Sequence, residues 1–349
     1  MHMFQQATSP SLIVDQRQFS EDYVPDRLIE RDAQVRAIVQ CLTPVLGKHK
    51  PIHLWLCGRP GSGKTAAALH VLGRFAEKAN LQSLVVNCWE KDTFFEIVDD
   101  IVFKLRILRA EEHRTSTKLD RLRRYLGDRP LIIVLDEIDR MGPAERSTAL
   151  YNLGGMGNVG IICITNRQGS LFELEERVRS RLSPHLVFFP AYSPQELAHI
   201  LECRAEAGLA PAAWSAPVLR RIAGMAEGDA RAAIQALRRA AELTEEGEAV
   251  VSVDVLAEQH ALASEARSAY VLGSLAEDHR VLYEIVRQRE KVLSNDLWQE
   301  YLRQCNESGR KPLAARTFSN YANALVQKGL LVCEQARVKG KVRLFKVAG

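Results

Sequence analysis

Along the first 190 residues, short, largely apolar runs take turns with longer stretches in which apolar residues recur every three or four positions. Ile52, Leu54, Trp55 and Leu56 make one such run, and Leu84–Cys88, Leu131–Leu135 and Gly160–Thr165 make three more. Runs with no polar alternate belong to strands buried on both faces, as in a parallel sheet flanked by helices. The stretches between them read as helices. Ala33–Leu46 carries Val35, Ile38, Val39 and Leu42 on one face, after a turn set by Pro25; Ala66–Phe75 is the next. Thr93–Leu108 follows, with a core-facing stripe of Phe94, Ile97, Ile101, Leu105 and Leu108. The polar-to-basic segment Lys104–Lys118 is read as a solvated face, with a binding surface as the alternative.

Beyond Pro190 the period stays helical: Pro194–Ala207, Ala216–Met225, Asp229–Thr244, and a stretch without strong breakers over Val253–Leu275. From about Glu277 come helices His279–Arg289, Ser294–Asn306 and Ala314–Lys328. Two alternating strands, Gly329–Glu334 and Lys341–Val347, then flank Gln335–Gly340. Three helices and a hairpin predict a winged helix. The chain thus divides into a mobile arm over residues 1–20, an α/β core over 21–190, a helical region with a connecting helix over 191–276, and an α+β winged helix over 277–349.

Composition changes this picture little. At 349 residues, 46% hydrophobic and 26% charged, the chain reads as two or three globular domains. No apolar run is long enough for a bilayer, and Met1–Gln6 has no basic-then-apolar leader, so a cytoplasmic protein without membrane contact is expected. The seven cysteines are scattered without metal spacing and read as reduced and mostly buried. Charge is more informative. From residue 265 onward there are 15 Lys/Arg against 9 Asp/Glu, although the whole chain is only +4. One part is expected to handle a small anion and the other to meet a polyanion.

The candidate chemistry starts at Gly58–Thr65. Gly58, Arg59, Pro60, Gly61, Ser62, Gly63, Lys64 and Thr65 fit the pattern G-x-x-x-x-G-K-[ST] at every specified position, with Ala66 opening the helix. Successive backbone N–H groups and the helix N-terminus make such a loop a cradle for a triphosphate. Lys64 is expected to reach the β- and γ-phosphates, and the Thr65 hydroxyl to enter a Mg²⁺ shell. Asp136 and Glu137, ending the strand at Leu131, are candidates for Mg²⁺ and for polarising the attacking water. Asn166, ending the next strand, is either a water-orienting group or a turn former. Arg177, Arg179 and Arg181 are either a solvated helix face or the source of an arginine finger, and spacing does not choose among them. Arg231 begins a helix capped by Asp229, where a cation is out of place unless an anion faces it. In the tail, Arg316, Thr317, Ser319 and Asn320 on the third helix suit a major groove. Arg337, Lys339, Lys341 and Arg343 at the hairpin suit phosphates, so double-stranded DNA is the favoured polyanion over a protein partner.

The combination of GRPGSGKT, VLDEID, ITN, RVRSRLSP and EGDAR resembles an AAA+ ATPase. DYVPDRLIERDAQ, VVNC, LYNL, RVRSRLSP and GDARAAI resemble, more narrowly, the archaeal replication-initiator family. That family is related to the origin recognition complex and to the helicase-loading cell-division-control ATPase. The resemblance spans nearly the whole chain. It implies that the helices after Pro190 are an AAA+ lid and that ATP/ADP and Mg²⁺ are the cofactors. It implies slow hydrolysis used as a switch. Tyr23, Val24 and Pro25 would line the adenine, Asn166 and Arg231 would sense the nucleotide, Glu137 would serve hydrolysis, and Arg181 is the favoured finger. A family wedge that can touch DNA would fall within Phe94–Arg109. Origin-like DNA repeats, the replicative helicase and other initiator subunits would be partners, in the cytoplasm at the nucleoid. A same-fold regulator of a plasmid, virus or mobile element, or a winged-helix transcription regulator with an ATPase switch, is the alternative. Ala314 and Ala315 depart from the bulkier or basic residues common in the family's recognition helix, which leaves the DNA target open.

Overall fold

The computed structural model describes residues 12–47, 49–79, 81–107, 114–244, 275–327, 330–335 and 343–347. The chain forms two compact units, Met1–Val253 and Asp254–Gly349.

In the first unit the strands are β1 (Leu54–Gly58), β2 (Gln82–Asn87), β3 (Leu131–Asp136), β4 (Val159–Thr165) and β5 (His185–Phe189). All pair in parallel, in the order β2-β3-β4-β1-β5. Period-two alternation sorts the side chains into two cores. Leu131, Ile133, Leu135, Ile161, Cys163 and Trp55 pack beneath α3 (Phe94–Lys104), α4 (Thr115–Leu126), α5 (Pro143–Leu153) and α6 (Glu176–Leu182). Ile132, Val134, Ile162, Ile164, Leu54 and Leu56 pack beneath α1 (Asp32–Leu42) and α2 (Lys64–Ala79). Strands covered on both sides have no polar alternate, which is why their runs are unbroken. The helices α7 (Pro194–Gly208), α8 (Ala216–Met225) and α9 (Ala230–Leu243) follow; Ser193 and Glu196 close a capping box on α7, and Asp229 caps α9.

Several expectations change on contact with the structure. The arm expected to be mobile over residues 1–20 is docked from residue 12 onward. Ile13 bridges Leu209, the Val14 N–H donates to Gly208 O at 2.8 Å, and Phe19 is fully buried. The reason is close packing: Phe19 lies where a Cβ on Gly208 would sit, 2.5 Å from its ring carbon. Residues 1–11 lie outside the described residues. The helix expected to reach Leu46 ends at Leu42 in a 3-10 turn, Thr43–Gly47, because Pro44 has no N–H to continue the ladder. β5 and α5 are elements that the hydrophobic pattern does not assign. β5 is an edge strand whose Leu186 and Phe188 are exposed while Val187 and Phe189 are buried, so it lacks the signature of its neighbours. Of the segment Lys104–Lys118 expected to be a solvated face, residues 108–113 lie outside the described residues, Lys104 donates to Val85 O at 2.7 Å, and Lys118 is buried against Asp99 near the start of α4, whose Leu119, Leu122 and Leu126 turn inward. The stretch expected to continue as a helix over Val253–Leu275 lies outside the described residues up to 274.

The second unit carries α10 (Glu277–Arg289), β6 (Lys291–Leu293), α11 (Ser294–Glu307), α12 (Ala315–Gln327), β7 (Leu331–Gln335) and β8 (Arg343–Val347). The three strands pair antiparallel in the order β6-β8-β7. Leu282, Val286, Leu297, Tyr301, Leu325 and Phe345 fill the core of this winged-helix arrangement.

Candidate nucleotide site and nucleic-acid interface

The phosphate loop leaves β1 at Gly58 and enters α2 at Lys64. Gly61 and Gly63 stand at φ +65° and +88°, a backbone region costly for any residue with a Cβ. Space is equally short: a Cβ on Gly61 would come within 1.8 Å of Asp229 Oδ1, and one on Gly63 within 2.7 Å of the Tyr192 hydroxyl. The lid therefore rests directly on the loop, and the Ala230 N–H donates to Gly61 O at 3.1 Å. Buried Arg31 adds a second tie. Its Nε donates to Ser62 O at 2.9 Å, its Nη2 to Pro190 O at 2.7 Å, and its guanidinium lies 3.5 Å from the Tyr192 ring centroid. Arg31 falls within the DYVPDRLIERDAQ stretch, but nothing in that stretch says that its side chain turns inward onto the loop.

Four expected residues meet at the carboxyl end of the sheet. Lys64 Nζ donates to Gly58 O at 2.9 Å, to Arg59 O at 2.8 Å and to Asn166 Oδ1 at 2.9 Å. Thr65 Oγ1 donates to Asp136 Oδ2 at 2.8 Å, and the Glu137 N–H donates to Asp136 Oδ1 at 2.9 Å. Burial pushes the Lys64 pKa down, while Asp136 and Asp139 push it back up. Asp139, in the one-turn 3-10 helix after β3, accepts the Asn166 N–H at 3.3 Å and so ties the end of β4 to that turn. Ser62 Oγ is buried without a partner, an orphan in a loop lined with donors. This donor set fits a phosphate chain. A cation fits beside it at Thr65 and Asp136 only if phosphates complete its shell, because among the described residues no three His, Cys, Asp or Glu side chains cluster as a metal site.

Tyr23, Val24 and Pro25 lie half-buried between α2 and α7: Pro25 O is 3.0 Å from His70 Nδ1, and the Arg204 guanidinium lies 4.6 Å from the Tyr23 ring centroid. Arg231 stands at the start of α9, largely exposed, with its Nε 3.6 Å from Glu21 Oε2. The arginines of α6 separate by face. Val178 and Leu182 are buried and Arg179 is half-buried; Arg177 pairs with Glu175 at 2.7 Å, and Arg181 lies against Gly155 with its guanidinium 4.2 Å from the Tyr151 ring centroid. The contacts described for Arg181 are thus with its own α5 region and not with its own phosphate loop.

In the second unit, Phe318, Ala322 and Leu325 bury one side of α12 and leave Arg316 and Asn320 exposed on the other. Asn323 completes this i, i+4, i+7 stripe and accepts from Arg343 Nη1 at 2.6 Å, which ties the wing strand to the helix. Its spacing from Arg316 is the signal that could have added it to the expected groove residues. Thr317 is half-buried, and the Ser319 hydroxyl is returned to Ala315 O at 3.0 Å. Arg337, Lys339 and Lys341 lie outside the described residues. Among the described residues no helix is long and apolar enough to cross a membrane.

Comparison with known proteins places this geometry. Residues 49–168 match the family model of the AAA domain, and residues 198–271 that of the Cdc6 AAA+ ATPase-type lid domain. ORC1-type DNA replication protein 9 of Halobacterium salinarum is 30% identical over 335 residues, 93% of this chain and 91% of that one. The structure of the Aeropyrum pernix ORC1 protein in complex with DNA is similar at a TM-score of 0.65 and 26% identity, over 97% of this chain and 94% of that one. The Aeropyrum pernix ORC2 protein, solved as ADPNP-ADP complexes, shares the fold at a TM-score of 0.72 and 22% identity, over 97% and 94%.

Proposed function

The chain belongs to the archaeal Orc1/Cdc6 family of replication initiators, and on that footing we propose that its phosphate loop and lid enclose ATP, that slow hydrolysis switches its state, and that its winged helix grips origin-like repeats in double-stranded DNA. It is an AAA+ ATPase and an ATP-dependent replication initiator. The observation that carries the assignment is the meeting of Lys64, Thr65, Asp136 and Asn166, drawn from separate elements, within hydrogen-bond distance at one end of the sheet.

Lys64 neutralises the β- and γ-phosphates after exchanging its loop carbonyls for phosphate oxygens. Thr65 and Asp136 hold Mg²⁺, which when bound supplies charge neutralisation that the protein donors alone do not. Glu137 accepts the proton of the attacking water, and Asn166 orients that water from the neighbouring strand. Arg231 breaks its pair with Glu21 and turns to the γ-phosphate; an exposed pair of this kind is worth only ~0–1 kcal/mol, so the exchange is cheap. Tyr23, Val24 and Pro25 line the adenine. Arg181 serves the nucleotide of an adjoining initiator subunit, so an isolated chain turns over slowly. Recruitment of the replicative helicase and residence at the nucleoid follow from the same role.

Two variants test the reading together. Lys64→Ala is expected to weaken ATP binding at least ~10-fold, while Glu137→Gln keeps binding and loses hydrolysis. Nucleotide titration beside a phosphate-release assay separates the two, and parental turnover in Glu137→Gln would remove Glu137 from its role. A genome-wide map of bound DNA checks the initiator role, with binding confined to promoters as the contrary result.

A further inference from the structure

Beside the phosphate site, one pair of side chains reaches the hydrolytic carboxylate from outside. Arg140 ends the one-turn 3-10 helix that follows Glu137, and its Nε lies 3.5 Å from Glu137 Oε2. The same guanidinium lies over the indole of Trp89, 3.6 Å from the ring centroid. Trp89 is 59% exposed and sits in the turn leaving β2. That turn is braced to the strand carrying the site: the Trp89 N–H donates to Asn87 Oδ1 at 3.0 Å, and the Cys88 N–H to Asp136 O at 2.9 Å. Platform, guanidinium and carboxylate therefore form one chain from β2 to the end of β3.

Glu137 is held in an unusual way. Its backbone is left-handed, at φ 54° and ψ 43°, a region that a residue with a long side chain occupies at a cost. An ion pair to the residue three positions on helps to fix the side chain that this backbone projects. The pair is half-exposed on both sides and weak by itself. The indole strengthens it, because a guanidinium held over a ring has already lost the freedom that an exposed arginine otherwise gives up on pairing.

A carboxylate polarises water only while one of its oxygens is free to accept the proton. A guanidinium held beside Glu137 competes for those oxygens. We propose that Trp89 and Arg140 form a brake on ATP hydrolysis: Arg140, steadied by the indole, keeps the Glu137 carboxylate engaged and withholds it from the attacking water. The brake rests on the reading of Glu137 as the water-polarising residue. Trp89 is a positioning residue, acting through Arg140, and its exposure leaves it open to whatever releases the pair.

The test uses the full chain with Mg²⁺, in saturating excess over ATP, in single-turnover hydrolysis, with ATP affinity measured separately. Arg140→Ala and Trp89→Ala are each expected to raise the hydrolysis rate ~3–10-fold, the range of a modest ion pair plus a cation–π contact, with affinity unchanged. The double variant is expected to match either single variant, since both remove one device, and Trp89→Phe, which keeps an aromatic platform, is expected to stay near the parent rate. A rate in Arg140→Ala equal to or below the parent overturns the brake, as does a double variant whose gain is the product of the two singles. Glu137→Gln keeps the two questions apart. If it hydrolyses at the parent rate, the role of Glu137 fails; if it is inactive and Arg140→Ala is no faster than the parent, only the brake fails.

Discussion

His53 precedes β1, is 4% exposed, and its Nδ1 accepts the Ile161 N–H at 3.0 Å. To accept there, Nδ1 must stay unprotonated. Burial, with a smaller push from Lys50, brings the pKa down from the usual 6.5 to about 4. Because the folded value lies below the unfolded one, the unfolded chain takes up a proton first. The contribution to stability is therefore complete above about pH 6.5 and is lost as the pH falls towards 4. At ~1.36 kcal/mol per pH unit the loss between pH 7 and pH 5 is ~2 kcal/mol. Urea midpoints at the two values check this: the drop is expected to shrink in His53→Asn, which does not titrate, and an equal drop in both proteins would place the acid sensitivity elsewhere. The residues of the phosphate loop and of the acidic strand end were legible one by one as candidates, since each belongs to a motif whose chemistry dictates its spacing. Arg31, Arg140 and Asn323 were not, because their significance lies in partners 31 residues away, on a neighbouring strand end, or on the wing strand.

Loops and helices show the same division. The phosphate loop is readable as a loop, but its dependence on the lid is a contact between α9 and Gly61. This predicts opposite signs for two glycine substitutions. Gly61→Ala places a methyl group against Asp229 in a left-handed backbone and is expected to cost ~1–3 kcal/mol of stability and to weaken ATP binding. Gly224→Ala, in α8 with nothing within 4 Å of its Cβ position, is expected to be neutral or to stabilise by ~0.5–1 kcal/mol. Denaturant titration of the two variants tests the pair, and a neutral Gly61→Ala would mean that the lid does not bear on the loop. Helix bounds fell within a few residues of expectation wherever a cap marked them, as Asp229 marks α9 and Ser193 marks α7. They missed where a proline intervened, at Pro44, and where an exposed edge strand broke the pattern, at β5.

For the chain as a whole, the predictions concern DNA and neighbouring subunits. If Lys339 and Lys341 neutralise phosphates, replacing both with alanine is expected to weaken binding about equally on all duplexes and to flatten the salt dependence by ~0.9 for each phosphate no longer neutralised. Arg316→Ala or Asn320→Ala is expected to erode discrimination between specific and scrambled duplexes by ~1–3 kcal/mol instead, and Asn323→Ala, which frees Arg343, to do both in part. Titrations at several salt concentrations separate the classes, and a wing variant with unchanged affinity and slope would favour a protein partner for this unit. Arg181→Ala is expected to leave hydrolysis by the isolated chain unaltered and to slow it in assemblies with other initiator subunits by ~10-fold or more. Loss of activity in the isolated chain would refute the in-trans role.

From its sequence alone, the protein's class and its chemistry were determined. Unbroken apolar runs require strands covered on both faces, and a phosphate loop needs glycines, a lysine and a hydroxyl at set intervals whatever surrounds it. The basic, amphipathic tail likewise implied a winged helix before any tertiary packing was known. Tertiary structure alone decided which surfaces meet: Phe19 seated against Gly208, the lid resting on Gly61, Arg31 spanning the loop and Pro190, and Arg140 drawn onto Trp89 beside Glu137. The physical reason is that periodicity records how much of a side chain is buried but not what buries it. A polar or aromatic residue at a surface turn has many partners of similar energy, and only the packing of distant elements selects one of them.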